Sequence, residues 1–356
     1  MAISKTLPMK VADGKTVQVP SVGFGTWAAD WLYRSDVDAD GLMMVIGGTG
    51  WCKEATLAAL KAGYRHLDCA WKYGVDEEVG AAIRESGVPR SEIFITSKFW
   101  PHFAHPDNVE TCLDLVLKNT GIEYIDLFLA HWPVAFKPLP NIGSAQASPE
   151  ATNEENRVAT DGSTGKEALD LEHCAANIAA EKGAKGSFVP TWKAMQTLVR
   201  KGKCRAVGVS NFSITQLKEI LPHASDVPIS CNQVEAHPWF PNDELVSFMI
   251  SQSILPTVYS PFAGQKEDGR TLISDPVVKR ISEKNGMGVG QCLQSWAVMR
   301  GTIPLGKSQN PDRIKANLSI GQLPKEDFDA ISALKLPGDS GRTIDFSEAW
   351  NAKLFT

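Results

Sequence analysis

The segment YRHLDCAWKYG, Tyr64 to Gly74, ends a short apolar run on a carboxylate, Asp68, and places a phenol, Tyr73, five residues later. Two further apolar runs end on groups of related chemistry: IFITSK on Lys98 and IDLFLAH on His131. Taken singly, each has an ordinary explanation. An Asp after a strand caps a helix, a Tyr packs with its hydroxyl satisfied, a His is structural and a strand-end Lys reaches solvent. Taken together they can handle a proton. A buried Lys98 ammonium beside Asp68 can stay charged, since each offsets the other's desolvation. The ammonium would then lower the pKa of Tyr73 from the ordinary ~10. Such a phenol can give a proton to a carbonyl oxygen, or take one from an alcohol, near neutral pH. His131 would hydrogen-bond the same oxygen and orient the carbonyl. This is chemistry for reducing a C=O group, and it needs an electron source from outside the four residues.

The surrounding pattern says how these residues would meet. After a hairpin with Asp13-Gly14 as its turn signal, strand-like and helix-like segments alternate in eight units, beginning with SVGFGTW and ending with TIPLGKS and PDRIKANLS. The strands are continuous apolar runs, as strands covered on both faces should be. Eight such repeats close most naturally as a (β/α)8 TIM barrel within a single domain, 1–356. An open doubly wound sheet is the competing arrangement, but the usual glycine fingerprint after the first strand is missing. In a barrel the strand ends share one mouth, which gathers Trp27, Asp68, Lys98, His131, Ser210 with Asn211, Gln233, Tyr259, and Lys307 with Ser308.

Two stretches exceed the plan: 29–52 after the first strand and 134–189 after the fourth. The second contains NIGSAQASPEATNEENRVATDGSTG, with little that could pack a core. It reads either as a mobile surface insertion or as a lid over the catalytic face. The GGTG at Gly47 to Gly50 lacks the GK[ST] of a phosphate loop and reads as a flexible turn. The tail, 337–356, is expected near the substrate pocket.

The bulk composition excludes several classes. The 356 residues are 43% apolar and carry a net charge of −5, with no basic run, which argues against nucleic acid as a partner. No segment has the ~20 apolar residues of a membrane span, and the N-terminus has no signal-peptide core. Seven cysteines are scattered without a CxxC, which points to reduced thiols in a cytoplasmic protein rather than a disulfide or metal framework.

HLDCAWKYG, IFITSKFW, DLFLAHWP, GVSNF, NQVEAHP, VYSPF and GKSQNPDRIKANL, in this order, resemble the successive signatures of the aldo-keto reductase family. The resemblance covers most of the chain outside the two insertions and the tail. It implies the (β/α)8 fold, a nicotinamide cofactor bound without a Rossmann domain, hydride transfer to an aldehyde or ketone, and a monomer as the common form. It makes Tyr73 the general acid, with Asp68, Lys98 and His131 completing a tetrad. Ser210, Asn211 and Gln233 match side chains that bond the nicotinamide carboxamide, and Tyr259 matches the ring on which the nicotinamide stacks. Gly25, Thr26, Trp27, Asp68, Ser260 and Phe262 complete the cofactor contacts. Lys307, Ser308, Asn310 and Arg313 match the site of the adenosine 2′-phosphate, and Asn317 the adenine contact, which favours NADPH/NADP+. Two cations and a hydroxyl at a helix start suit a dianion on physical grounds too. Gly306 stands where a proline usually precedes the Lys-Ser pair, and is expected to loosen the backbone there. Trp27, Trp100 and Trp132, with His131, match the substrate pocket and suit an apolar or aromatic carbonyl or a sugar face.

Two other readings stay open at this point. One is a regulatory barrel that holds NADPH with little turnover. The other is a Schiff-base lyase using Lys98 as nucleophile, which needs a neutral lysine; Asp68 beside it would keep it protonated.

Overall fold

The computed structural model describes residues 3–27, 50–138, 142, 166–266 and 268–355. The chain opens with an antiparallel hairpin of β1 (Thr6–Lys10) and β2 (Thr16–Pro20), in which Thr6 faces Pro20 and Lys10 faces Thr16. Asp13 and Gly14 turn it, with φ of 59° and 67° in the left-handed region that Asp and Gly tolerate. Met9, Val11 and Val19 from the hairpin pack with Leu127, Leu129, Ala206, Cys231, Leu255, Ile303 and Leu305 of the barrel strands, so the hairpin plugs the end of the barrel where the strands begin.

Eight parallel strands close the barrel: β3 (Gly23–Gly25), β4 (His66–Asp68), β5 (Phe94–Phe99), β6 (Ile125–Ala130), β7 (Cys204–Ser210), β8 (Cys231–Glu235), β9 (Leu255–Tyr259) and β10 (Ile303–Gly306). The ring runs β10-β3-β4-β5-β6-β7-β8-β9 and closes on itself. Its register sets Gly25 beside Asp68, Asp68 beside Thr96, Lys98 beside Leu129 and Ser210 beside Gln233. The expected barrel and hairpin are both present.

The helices are α1 (Trp51–Ala62), α2 (Asp76–Ser86), α3 (Val109–Thr120), α4 (Ala176–Glu181), α5 (Val189–Arg200) and α6 (Ile214–Ile220), followed by α7 (Asp243–Ser251), α8 (Pro276–Lys284), α9 (Val289–Met299), α10 (Pro311–Leu318) and α11 (Lys325–Ser332). Their local logic is legible. In α1 the buried positions Cys52, Ala55, Thr56, Ala59 and Leu60 repeat every three or four residues and face the barrel. Ser213 and Gln216 form a reciprocal capping box at α6, and Asp275 caps α8 ahead of Pro276. Gly80 in α2 lies against α3: a Cβ there would stand 1.9 Å from the carbonyl oxygen of Thr120.

The insertions differ from a plain surface loop. Residues 29–49 of the first lie outside the described residues, and its last two positions, Trp51 and Cys52, already belong to α1. Of the GGTG turn only Gly50 is described. Its backbone N–H and that of Lys53 donate to the Glu78 carboxylate at 2.8 and 3.0 Å, so the helix start already has its anion. Of the second insertion, 139–141 and 143–165 lie outside the described residues. The remainder is built into the barrel wall. Phe136 bridges Leu169, Cys174, Ala175, Ile178, Ala179 and Phe188 are fully buried, and the Glu219 carboxylate accepts from Ala176 N, Phe188 N and Ser187 Oγ. Apolar residues in LDLEHCAANIAA, unlike the polar run before them, supply that packing.

The tail crosses the barrel mouth as a strap. Glu235, at the end of β8, accepts from Thr343 N, Thr343 Oγ1 and Ile344 N, and Gln216 Nε2 donates to the carbonyl of Leu354.

Replacing Gly80 with Ala should cost about 1–3 kcal/mol, because the added methyl meets backbone rather than a yielding side chain. The urea midpoint should fall at an unchanged slope.

Candidate active site

The Asp68 carboxylate stands at the last position of β4, and the chain then runs extended through Ala70 into a single tight turn, Trp71–Tyr73, closed by Gly74 at φ 65°. That turn folds Tyr73 back over the end of β5, where Lys98 is fully buried. Lys98 Nζ donates to Asp68 Oδ1 at 2.7 Å, to the Cys69 carbonyl at 2.8 Å and toward the Tyr73 hydroxyl at 3.4 Å. All three ammonium hydrogens are thus engaged. A nucleophilic amine aimed at a substrate is incompatible with this arrangement, and the Schiff-base reading has no geometry to support it. The second Asp68 oxygen accepts from Gln233 Nε2 at 2.7 Å. Since β4 and β8 lie on opposite sides of the ring, this bond braces the mouth from wall to wall.

His131 follows β6 and is 9% exposed. Its ring stands edge-on to Tyr73, with centroids 5.8 Å apart and planes at 75°. Asp68, Lys98 and His131 from three strand ends, and Tyr73 from the turn after β4, therefore share one site. Burial and the nearby Lys98 charge push the His131 pKa well below its ordinary value, so the imidazole is neutral. A neutral ring can donate one hydrogen bond without adding charge.

The expected lowering of the Tyr73 pKa is not what the structure gives. Burial raises it well above the usual phenol value, and the Asp68 charge and Cys69 add to the rise. The physical reason lies in the ion pair: Asp68, 2.7 Å from Lys98, cancels most of the cation's field at the phenol, and desolvation prevails. The hydroxyl is a firmly protonated donor.

A second shell of polar side chains fixes the far half of the mouth. Ser210 Oγ donates to the Gln233 carbonyl, Asn211 Nδ2 to the His131 carbonyl, and the Tyr259 hydroxyl to Asn211 Oδ1 at 2.7 Å. Thr26 N and Oγ1 both donate to the Asp68 carbonyl, which ties Gly25 and Thr26 at the end of β3 to β4. Asn211 and Ser260 have φ of 64° and 51°, unusual for residues with side chains, directly after β7 and β9.

Beyond β10, Ser308 Oγ receives Asn310 N at 3.1 Å and Arg313 Nε at 3.3 Å, while Asn310 caps α10 through Arg313 N. Lys307 Nζ lies over Trp51, 4.7 Å from the ring centroid. Arg313 makes no ion pair among the described residues, so a cation, a hydroxyl and a helix start converge with anion-binding capacity to spare. Asn317 lies on the same helix, largely buried, close against Gly290 of α9. Gly306 does not loosen this region. It is the last residue of β10, paired with Phe24, and a Cβ on it would stand 2.8 Å from Gln294 Oε1 and 3.1 Å from Phe262. Its role is to let those side chains close over the strand.

An aromatic wall lines the near side. Trp27 lies 6.5 Å from Tyr73, Trp100 stands edge-on to His131 at 5.1 Å, and Trp132 stacks beside His131. Sequence reasoning missed Trp350. This tail residue meets Trp100 at 5.6 Å, Trp132 at 5.2 Å and Phe136 at 5.2 Å, with Phe346 stacked on it. Nothing in the periodicity of DFSEAWNAKLFT points to that; only its aromatic content does.

A closed parallel barrel whose mouth carries a buried Asp–Lys pair, a protonated phenol and a neutral imidazole defines a class: (β/α)8 oxidoreductases that transfer a proton at a carbonyl or hydroxyl oxygen. Comparison with known proteins narrows it further. The model of the Aldo/keto reductase family matches residues 21–335, and the chain belongs to that family. It is similar to glycerol 2-dehydrogenase (NADP(+)) of Saccharomyces cerevisiae, 38% identical over 328 residues, covering 92% of this chain and 91% of that protein. It is equally similar to the aldehyde reductase YPR1 of the same yeast, 38% identical with the same coverage. Among solved structures it resembles the aldose reductase from Schistosoma japonicum, with a TM-score of 0.71, 29% identity, and coverage of 92% of this chain and 93% of that one.

A phenolate difference spectrum, wild type minus Tyr73→Phe, should show no ionisation of Tyr73 up to about pH 10, where an exposed phenol is half ionised. A Tyr73 signal near neutral pH would mean the cation governs the phenol after all.

Proposed function

We propose that this chain reduces an aldehyde or ketone to an alcohol at the expense of NADPH, with Tyr73 as the general acid. The observation that carries the reading is the Tyr73 hydroxyl 3.4 Å from an ammonium locked to Asp68 at 2.7 Å, facing His131 across a barrel mouth. The raised proton affinity of the buried phenol keeps it in the form an acid requires. As negative charge grows on the carbonyl oxygen, Tyr73 and the neutral His131 ring are its donors. Lys98 stands behind the phenolate that remains. The reverse reaction needs that phenolate first, so alcohol oxidation belongs to alkaline pH and reduction to neutral pH.

NADPH supplies the hydride when bound. In this reading Ser210, Asn211 and Gln233 hold the carboxamide, and Tyr259 offers a flat face to the nicotinamide. Gly25, Thr26, Trp27, Asp68, Ser260 and Phe262 line the same half of the mouth. Lys307, Ser308, Asn310 and Arg313 take the 2′-phosphate and Asn317 the adenine. The Arg313 guanidinium, bonded to Ser308 but in no ion pair among the described residues, supports this assignment, as does a relative whose name includes NADP(+). Trp27, Trp100, Trp132 and His131 enclose the carbonyl substrate. We read the working form as a cytoplasmic monomer. That all seven cysteines are unpaired and buried is consistent with this, and no helix among the described residues is long and apolar enough to cross a membrane.

Tyr73→Phe should retain NADPH binding, followed by fluorescence, and lose carbonyl reduction by roughly 10²-fold or more. Unchanged turnover would remove Tyr73 from the acid role. Arg313→Ala should weaken NADPH at least about tenfold relative to NADH, the loss of one charge-assisted contact to phosphate. Equal losses for the two cofactors would mean the phosphate lies elsewhere.

A further inference from the structure

The turn that delivers Tyr73 delivers Lys72 beside it. Lys72 Nζ lies over the Trp100 ring, 5.6 Å from its centroid, and the same indole stands edge-on to His131 at 5.1 Å. A half-buried ammonium therefore sits one indole away from the catalytic imidazole, on the aromatic wall of the pocket. Among the described residues it makes no ion pair and no hydrogen bond. The acid that acts on it, Glu167 of the second insertion, turns instead toward His102, with Oε1 3.8 Å from Nε2. His102 is itself 4% exposed, and this nitrogen has no hydrogen-bond partner.

Lys72, Glu167 and His102 thus gather beside the aromatic rim without being fully paired with one another. Burial lowers the Lys72 pKa, and it raises that of Glu167 to about 7 even with Lys72 nearby. A cation partly withdrawn from water without a bonded counter-ion favours an arriving anion. Near neutral pH Glu167 can take up a proton and so meet a bound anion as a donor.

We propose that Lys72 is a specificity-determining residue that takes the carboxylate of an acid-bearing carbonyl substrate, one whose acid and carbonyl are separated by an aryl ring or a short chain. A carboxylate fits better than a phosphate. A single cation answers a single charge, and a phosphate dianion would need a second cation that Lys72, Glu167 and His102 do not supply. The inference rests on the reductase reading and adds the substrate class to it.

The test compares 4-formylbenzoate with its methyl ester, which has the same ring and aldehyde but no charge, as substrates for NADPH oxidation. Lys72→Met should lower the acid-to-ester ratio of kcat/KM at least tenfold, through KM of the acid, with kcat and the ester nearly unchanged. Lys72→Arg should restore much of that ratio, and Glu167→Gln should hold or raise it. An acid-to-ester ratio unchanged by Lys72→Met overturns the subsite and leaves the reductase standing. Failure of the wild type to oxidise NADPH with either aldehyde overturns the reductase reading and the subsite with it.

Discussion

A lysine ammonium with no exposure to water is the constraint around which this barrel mouth is arranged. Burying such a charge costs several kcal/mol unless its hydrogens all find acceptors. Lys98 finds them within one short stretch, Asp68 to Tyr73: the end of β4, the carbonyl that follows it, and the hydroxyl of the next turn. None of these is correctly placed unless β4 and β5 are adjacent and in register, with Asp68 beside Thr96. Asp68 in turn has a second oxygen to satisfy, and Gln233 reaches it from the opposite wall. The electrostatics of one cation are thus tied to both walls of the ring. The neutrality of the pair also explains why the phenol answers to burial rather than to the cation.

Around this rigid centre the molecule separates its tasks. The hairpin and the strand interiors form a dry plug at one end, with Met9 and Val19 packed on Leu129 and Ile303. At the other end, polar side chains from β7, β8 and β9 bond to one another and to backbone carbonyls, which holds them in place before any ligand arrives. The aromatic wall is assembled differently, from loops and tail, with Trp350 inserted between Trp100, Trp132 and Phe136.

Much of this was readable in the sequence because it depends on local pattern. Continuous apolar strands, the 3.6-residue repeat of α1, the Asp-Gly turn and polar residues at strand ends all act within a few residues, and the barrel rule then brings the ends together. What escaped depends on distant contacts. The short α4 and the final α11 stand outside the eight strand-helix units and are held by neighbours such as Glu219 and Trp296. Trp350 matters only because the tail is carried to Trp100, which no spacing reveals. The sign of the Tyr73 shift depends on a balance between burial and a cancelled charge, and composition specifies neither. Gly306 looked like a looser strand end and is a packing site, because its neighbours Phe262 and Gln294 come from other segments. Lys72 stood in plain view beside Tyr73, hidden by the importance of its neighbour.

The strap over the mouth is pinned at Thr343 and Ile344 by Glu235 and at Leu354 by Gln216, and three of these four bonds are made by the main chain of the strap. Backbone anchors do not read side chains, so the intervening segment, Asp345 to Lys353, can vary at its exposed positions while the buried Trp350 and Ala352 hold it against the mouth. The proton-handling centre makes no such allowance. Laboratory libraries thus have a natural cassette here: the exposed positions of one short strap, hung over a braced floor, where new pockets can be tried without re-founding the chemistry beneath.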